Sequence, residues 1–104
     1  MRIDWTLDAE NDLINISDYI QKKTNPTKAI KLIDKIINKT ELLEKFPQMG
    51  SIDNHPAVEG FKVRYLIEDK YKILYRINAI KGIIEILSVF DTRQDPSKML
   101  SKEE

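Results

Sequence analysis

The stretch Phe61-Lys62-Val63-Arg64-Tyr65-Leu66-Ile67-Glu68-Asp69-Lys70-Tyr71-Lys72-Ile73-Leu74-Tyr75-Arg76-Ile77 decides the architecture. Phe61, Val63, Tyr65 and Ile67 alternate with Lys62, Arg64 and Leu66; beyond Glu68-Asp69-Lys70, Tyr71, Ile73, Tyr75 and Ile77 alternate with Lys72, Leu74 and Arg76. A period of two marks half-buried strands, so the stretch predicts a hairpin whose odd positions form one apolar face. With Glu68-Asp69-Lys70 as the loop, Ile67 is expected opposite Tyr71, Tyr65 opposite Ile73, Arg64 opposite Leu74 and Lys62 opposite Arg76. Lys62, Arg64, Lys72 and Arg76 then project together from the even-numbered face. The like-charge pair Lys62/Arg76 opposes folding unless something anionic lies beside it. Two readings stay open. One is a solvated sheet face whose charges also guard against aggregation. The other is a site for a phosphate or an acidic partner, to which Arg93 adds a bidentate guanidinium.

Upstream, Ile3 and Trp5 alternate with Arg2 and Asp4, a short strand. Thr6 is placed to cap a helix, with Asp8 and Glu10 in the first turn, where the dipole favours anions. Ala9, Leu13, Ile16 and Ile20 form its apolar stripe as far as Lys23. Asn25-Pro26 restarts the chain, since asparagine caps well and proline is tolerated at the first helical position. Ala29, Ile33, Ile36, Thr40 and Leu43 trace a second stripe, with Lys28, Lys31, Lys35 and Lys39 on the opposite side, in a helix that ends before Pro47. Residues 47–60 contain Pro47, Gly50, Pro56 and Gly60 without periodicity and read as a loop. Downstream, Ile83 to Phe90 is apolar at both parities except for Glu85 and Ser88, as in a strand covered on both faces, with an unsettled register. Turn chemistry follows from Asp91 to Pro96, and residues 97–104 are expected to be a flexible tail. The pattern is α+β, with two N-terminal helices packed on a small, mainly antiparallel sheet, and residues 1–104 form one domain.

Composition narrows the chemistry. The 104 residues carry 17 basic and 17 acidic side chains, one histidine and no cysteine. A net charge of zero argues against a domain that binds nucleic acid through its overall field. Without cysteine there is neither a disulfide framework nor a thiolate metal site, and the cytoplasm is the expected compartment. His55 between Asn54 and Pro56 offers no zinc or copper spacing, so no metal is expected. Glycines at 50, 60 and 82 cannot make a phosphate-cradling loop, so neither a cofactor nor a small-molecule substrate is expected. Ser17, Ser51, Ser88, Ser97 and Ser101 share one histidine and lie in no nucleophile elbow. No segment approaches bilayer length and the N-terminus lacks an apolar leader, so neither membrane insertion nor export is expected.

If the anion at the basic face were RNA, cleavage would require a base for the 2′-hydroxyl, cations for the pentavalent phosphate and an acid for the leaving oxygen. The cations are available in Lys62, Arg64, Lys72, Arg76 and Arg93. The base is not evident. Tyr65, Tyr71 and Tyr75 point to the core face on the expected register. His55 lies in the loop, Glu85 depends on the unsettled register, and Asp91 and Asp95 read as turn residues.

The order of these elements resembles the RelE/ParE superfamily, the toxins of bacterial type II toxin–antitoxin modules. The resemblance rests on Trp5 with Ala9-Glu10-Asn11-Asp12-Leu13, Tyr19-Ile20, Phe46-Pro47-Gln48-Met49-Gly50, Tyr71-Lys72-Ile73-Leu74-Tyr75-Arg76-Ile77, and Ile86-Leu87-Ser88-Val89-Phe90-Asp91-Thr92-Arg93-Gln94-Asp95-Pro96. It implies a β-α-α-β-β-β fold and a cognate antitoxin whose C-terminal segment wraps the toxin. RelE-like members cut mRNA in the ribosomal A site, whereas ParE-like members poison DNA gyrase and are not nucleases. The RelE-like catalytic pattern falls on Arg64, Lys72 and Arg93, with Lys62 as the companion cation. The tyrosine or histidine that those nucleases carry near the C-terminus has no counterpart, since its place falls at about Met99. The balanced charge departs from the ribosome-directed members as well, and Arg93-Gln94-Asp95-Pro96 looks more like ParE. The resemblance therefore implies a ParE-like toxin acting on gyrase. A RelE-like mRNA endoribonuclease and an antitoxin-binding module without toxicity are the alternatives.

Overall fold

In a computed structural model, which describes residues 1–53 and 62–94, the chain runs β1 (Arg2–Trp5), α1 (Leu7–Lys23), α2 (Pro26–Glu41), a 3-10 turn (Leu42–Glu44), β2 (Ser51–Asp53), β3 (Val63–Glu68), β4 (Tyr71–Asn78), β5 (Ile83–Asp91) and a second 3-10 turn (Thr92–Gln94). The helix starts follow the capping chemistry. Thr6 Oγ1 accepts from the Ala9 amide at 3.2 Å, and Asn25 Oδ1 accepts from the Lys28 amide at 2.9 Å with Pro26 opening α2. Thr6 also donates to the Ile86 carbonyl at 2.8 Å, fastening the start of α1 to the sheet.

The sheet order is β1-β5-β4-β3-β2, with β1 parallel to β5 and the other pairs antiparallel. The aperiodic stretch after Pro47 therefore holds an edge strand, β2, that alternation could not reveal, because three residues are too few to show a period. Between β3 and β4 the loop is two residues, not three. Asp69 takes a left-handed φ of 57°, which aspartate tolerates better than most residues, and this lets Glu68 pair with Tyr71. The one-residue difference changes every pairing: Leu66 faces Ile73, Arg64 faces Tyr75 and Val63 faces Arg76.

The two helices cover one face of the sheet. Ala9, Ile36 and Leu43 meet Leu66, Tyr71, Ile73, Tyr75, Ile84, Ile86 and Val89 in one buried cluster, bordered by Ile3, Trp5, Leu13 and Ile16. Of the anticipated stripes, Ala9, Ala29, Ile36, Thr40 and Leu43 are buried and Leu13, Ile16, Ile20 and Ile33 half-buried. β5 is an interior strand with Ile83 and Ile84 both buried, as its double-parity apolar pattern requires. Its pairing with β4 shifts between Leu74 and Tyr75, which face Ser88 and Ile86 and leave Leu87 as the extra residue of a bulge. Just past the bulge, Asp12 Oδ2 of α1 accepts from Ser88 Oγ at 3.0 Å and from the Val89 amide at 2.9 Å. Among the described residues no helix is long and apolar enough to cross a membrane.

Candidate functional site

The hairpin register separates the basic residues that alternation had placed together. Residues directly opposite in an antiparallel pair share a face. Arg64, opposite Tyr75, therefore lies on the helix-covered side, whereas Lys72 and Arg76 lie on the other. Lys62 precedes β3 and is exposed, and Val63, not Lys62, faces Arg76. The expected single basic row is thus replaced by separate environments, because the loop is shorter by one residue.

Arg64 closes a turn. Its Nη1 donates to the Gly50 carbonyl at 2.8 Å and to the Gln48 carbonyl at 3.3 Å. Beside it the Tyr75 hydroxyl donates to the Pro47 carbonyl at 2.8 Å and accepts from the Gly50 amide at 2.9 Å. Burial raises the Tyr75 pKa, against a lowering by the Gly50 amide and the Arg64 charge. Gly50 is required here because a Cβ would sit 2.6 Å from both the Tyr65 carbonyl oxygen and the Tyr75 hydroxyl. The Phe46-Pro47-Gln48-Met49-Gly50 word thus encodes a turn clasped by Arg64 and Tyr75.

On the open face Lys72 and Arg76 each have a carboxylate. Lys72 Nζ lies 3.4 Å from Asp53 Oδ1 and 4.4 Å from the centroid of the Tyr65 ring. Tyr65, opposite Leu74, is accordingly on this face and not in the core, whereas Tyr71 and Tyr75 are in the core. The second Asp53 oxygen, Oδ2, is buried without a hydrogen-bond partner. Arg76 Nε donates to Glu85, the strand neighbour across β4–β5, and that bond is the main reason the Glu85 carboxyl is held below its usual range. Glu85 is therefore a committed counter-ion and not a free base.

The fourth cation closes the C-terminal end of the sheet. Arg93 Nε and Nη2 bind the two oxygens of Asp91 at 3.1 and 2.9 Å, a bidentate pair that holds the Asp91 pKa at about 2. Lys70 adds a longer contact at 3.8 Å. Arg93 stands on the rim of a cleft of about 300 Å³ between α1 and the ends of β4 and β5, with Asp12, Asn15, Tyr19 and Tyr71 on its walls. Burial, then the Asp91 charge, raises the Tyr71 pKa. No group of three or more histidine or carboxylate side chains among the described residues is arranged to hold a metal ion. His55, Asp95, Pro96, Met99 and the 97–104 tail lie outside the described residues.

The structure therefore brings Lys72 and Arg76 to one face, turns Arg64 to the other, and sets Arg93 at the sheet end. Sequence reasoning missed Asp53 and Asp12. Asp12 had one signal, its place in the Ala9-to-Leu13 word, whereas Asp53 sits in an aperiodic segment and had none.

Against known proteins, the model of the ParE toxin of the type II toxin-antitoxin system parDE matches residues 3–96. No curated protein matches the chain. Among solved structures, a chain of the chromosomal ParDE toxin–antitoxin system from P. aeruginosa is similar at 24% identity with a TM-score of 0.71, over 88% of this chain and 95% of that one. The YoeB/ParE toxin from Agrobacterium tumefaciens is similar at 17% identity and TM-score 0.58, over 88% and 98%. A chain of the RelBE2 toxin–antitoxin complex from Mycobacterium tuberculosis is similar at 20% identity and TM-score 0.52, over 86% and 95%. At these identities the likenesses concern the fold, five strands covered on one face by two helices.

Proposed function

The chain belongs to the ParE toxin family of type II toxin–antitoxin systems, and from that premise we propose that it acts in the bacterial cytoplasm as a ParE-like toxin that binds DNA gyrase and does not cleave RNA. A cognate antitoxin neutralises it. The observation that carries the reading is the internal pairing of the cations a nuclease would need. Arg64 holds the Gln48 and Gly50 carbonyls, and Lys72, Arg76 and Arg93 pair with Asp53, Glu85 and Asp91. A pentavalent phosphate would have to displace three carboxylates that hold the cations in place, and anion repels anion at close range. Proton transfer is equally poorly served among the described residues: Tyr71 and Tyr75 are pushed upward by burial, and Glu85 is held ionised by Arg76. What remains is a rigid polar surface with paired charges, of the kind that protein interfaces use for specificity.

Purified protein separates the alternatives when gyrase supercoiling and cleavage of ribosome-bound mRNA are measured side by side. The expected result is inhibition of supercoiling with intact mRNA, and growth arrest on induction that co-expressed antitoxin reverses. Cleavage of mRNA that disappears in Arg93→Ala would replace the gyrase reading with the nuclease one. Folded protein that neither arrests growth nor inhibits gyrase would leave an antitoxin-binding module.

A further inference from the structure

Exposed apolar side chains gather at one end of this molecule. Leu42, Phe46, Pro47, Met49 and Ile77 line a groove of about 850 Å³ between the 3-10 turn after α2, the turn clasped by Arg64 and Tyr75, and the end of β4; among the described residues Gln48 is the one polar side chain on its walls. Phe46 is 59% exposed, and Met1, Leu42 and Met49 are 41–46% exposed. Next along the chain from Ala79, another wall residue, Ile80 stands 99% exposed at the tip of the β4–β5 turn, more than any other large apolar side chain described. The remaining exposed ones are spread over α1, α2, β2 and β3. Both groove and tip are held in place. The Phe46 amide donates to the Leu42 carbonyl at 3.0 Å, the Met49 amide to the Phe46 carbonyl at 3.1 Å, and the Tyr75 hydroxyl to the Pro47 carbonyl. In the β4–β5 turn Asn78 Oδ1 accepts from the Lys81 amide at 3.1 Å, and Gly82 supplies a left-handed φ of 69°.

We propose that the groove takes a second copy of this chain, in a two-fold dimer that sets Ile80 of each copy into the groove of the other. A knob that borders its own hole is what a two-fold interface requires, because the same patch must supply both halves of the contact. A groove for a foreign segment would leave the full exposure of Ile80 without a counterpart. The net charge of zero places no repulsion between copies, and walls without charged side chains give a phosphate backbone nothing to bind. Covering Met1, Leu42, Phe46, Met49 and Ile80 removes about 500 Å² of apolar surface per copy, about 1,000 Å² in the pair, which reaches the lower end of specific interfaces. Because the hydrogen bonds already fix groove and tip, little ordering opposes association. The β4–β5 turn lies at the end of the sheet opposite Arg93, so the dimer leaves the Arg93 cleft uncovered.

Sedimentation velocity of the purified full chain between about 1 and 500 µM tests this, with a dimer dissociation constant of about 10 µM expected for an interface of this size. A side chain removed from a two-fold interface is removed twice. Ile80→Asp and, independently, Phe46→Asp are therefore each expected to weaken the dimer about a hundredfold, roughly tenfold for each copy of the lost side chain. Ile30→Asp makes the same change of charge at another exposed isoleucine, on α2 outside the groove, and leaves the constant within about twofold of the parent. Circular dichroism checks that each variant keeps the fold. The measurement requires no toxicity, so its outcome is separate from that of the gyrase reading. A parent chain that stays monomeric throughout the range, or equal weakening by Ile30→Asp and Ile80→Asp, overturns the proposal. A monomeric parent whose groove variants lose capture by antitoxin or gyrase overturns it too, and gives the groove to that partner.

Discussion

Tyr75→Phe is the sharpest probe of the turn that Arg64 and Gly50 share. The ring stays and fills the same fully buried space, so no cavity term arises and only the hydroxyl is lost. That hydroxyl accepts from the buried Gly50 amide at 2.9 Å and donates to the Pro47 carbonyl at 2.8 Å. An orphaned buried donor costs about 1–3 kcal/mol, and the partly buried carbonyl loses a bond of about 1 kcal/mol net, so roughly 2–4 kcal/mol is expected in all. In a domain of this size 1 kcal/mol moves Tm by roughly 4–8 °C, which puts the variant about 10–30 °C below the parent. Thermal unfolding followed by circular dichroism measures the shift, and urea unfolding should show a lower midpoint at an unchanged m-value. Toxicity per folded molecule is expected to be retained, because the hydroxyl serves the turn. A Tm within about 3 °C of the parent would refute the clasp; an undiminished Tm with lost toxicity would make Tyr75 a functional residue and reopen the nuclease reading.

Gly50→Ala drives a methyl group to 2.6 Å from the Tyr65 carbonyl and the Tyr75 hydroxyl, and the backbone atom cannot swing away; destabilisation of about 3 kcal/mol is expected by urea titration, at the upper end for overpacking. Asp12→Ala removes the acceptor of the Val89 amide and of Ser88 Oγ, so about 1–3 kcal/mol is lost and hydrogen exchange at Val89 speeds up before that of the Ile73 amide. The carboxyl of Asp91, ordinarily at 3.8, is lowered to about 2 in the folded chain, so its stabilisation is present above pH 4 and is lost as pH falls toward 2. In Arg93→Ala the acid unfolding midpoint is therefore expected to move to higher pH. Tyr71 and Tyr75 are shifted the other way, upward from 10.0, so the folded state keeps protons the unfolded chain releases and stability declines as pH rises through 10.

Alternation and capping sufficed for α1, α2 and the interior strands because each carries its own periodicity or punctuation. Thr6, Asn25 and Pro26 mark helix starts whose local chemistry no tertiary contact overrides. The hairpin turn was less legible: Glu68, Asp69 and Lys70 are all turn-compatible, and whether two or three of them form the loop depends on the left-handed φ of Asp69, which no pattern displays. That single residue moved Arg64 and Tyr65 to the faces opposite to those expected. The counter-ions were hidden for another reason. Asp53, Glu85 and Asp91 lie 19, 9 and 2 residues from the cations they neutralise, and only the last pairing is local. A basic row can be read from one strand, but its neutralisation depends on the neighbouring strands and the following turn.

The parallel pairing of β1 with β5 joins the first strand of the chain to the last one described, Arg2 beside Ile83 and Trp5 beside Ile86. During synthesis α1 meets α2 and β3 meets β4 through short connections, whereas Ile3 and Trp5 emerge early and wait for a partner some eighty positions later. Contacts of such sequence separation form late, since the loop must close before any of them is rewarded. The finished sheet thus requires Ile83 to Ile86 to be present, and a product that stops before Ile83 lacks the scaffold on which Arg93 stands. A chain cut short of Ile83 therefore leaves both β1 and the edge of β4 without the strand that lies between them.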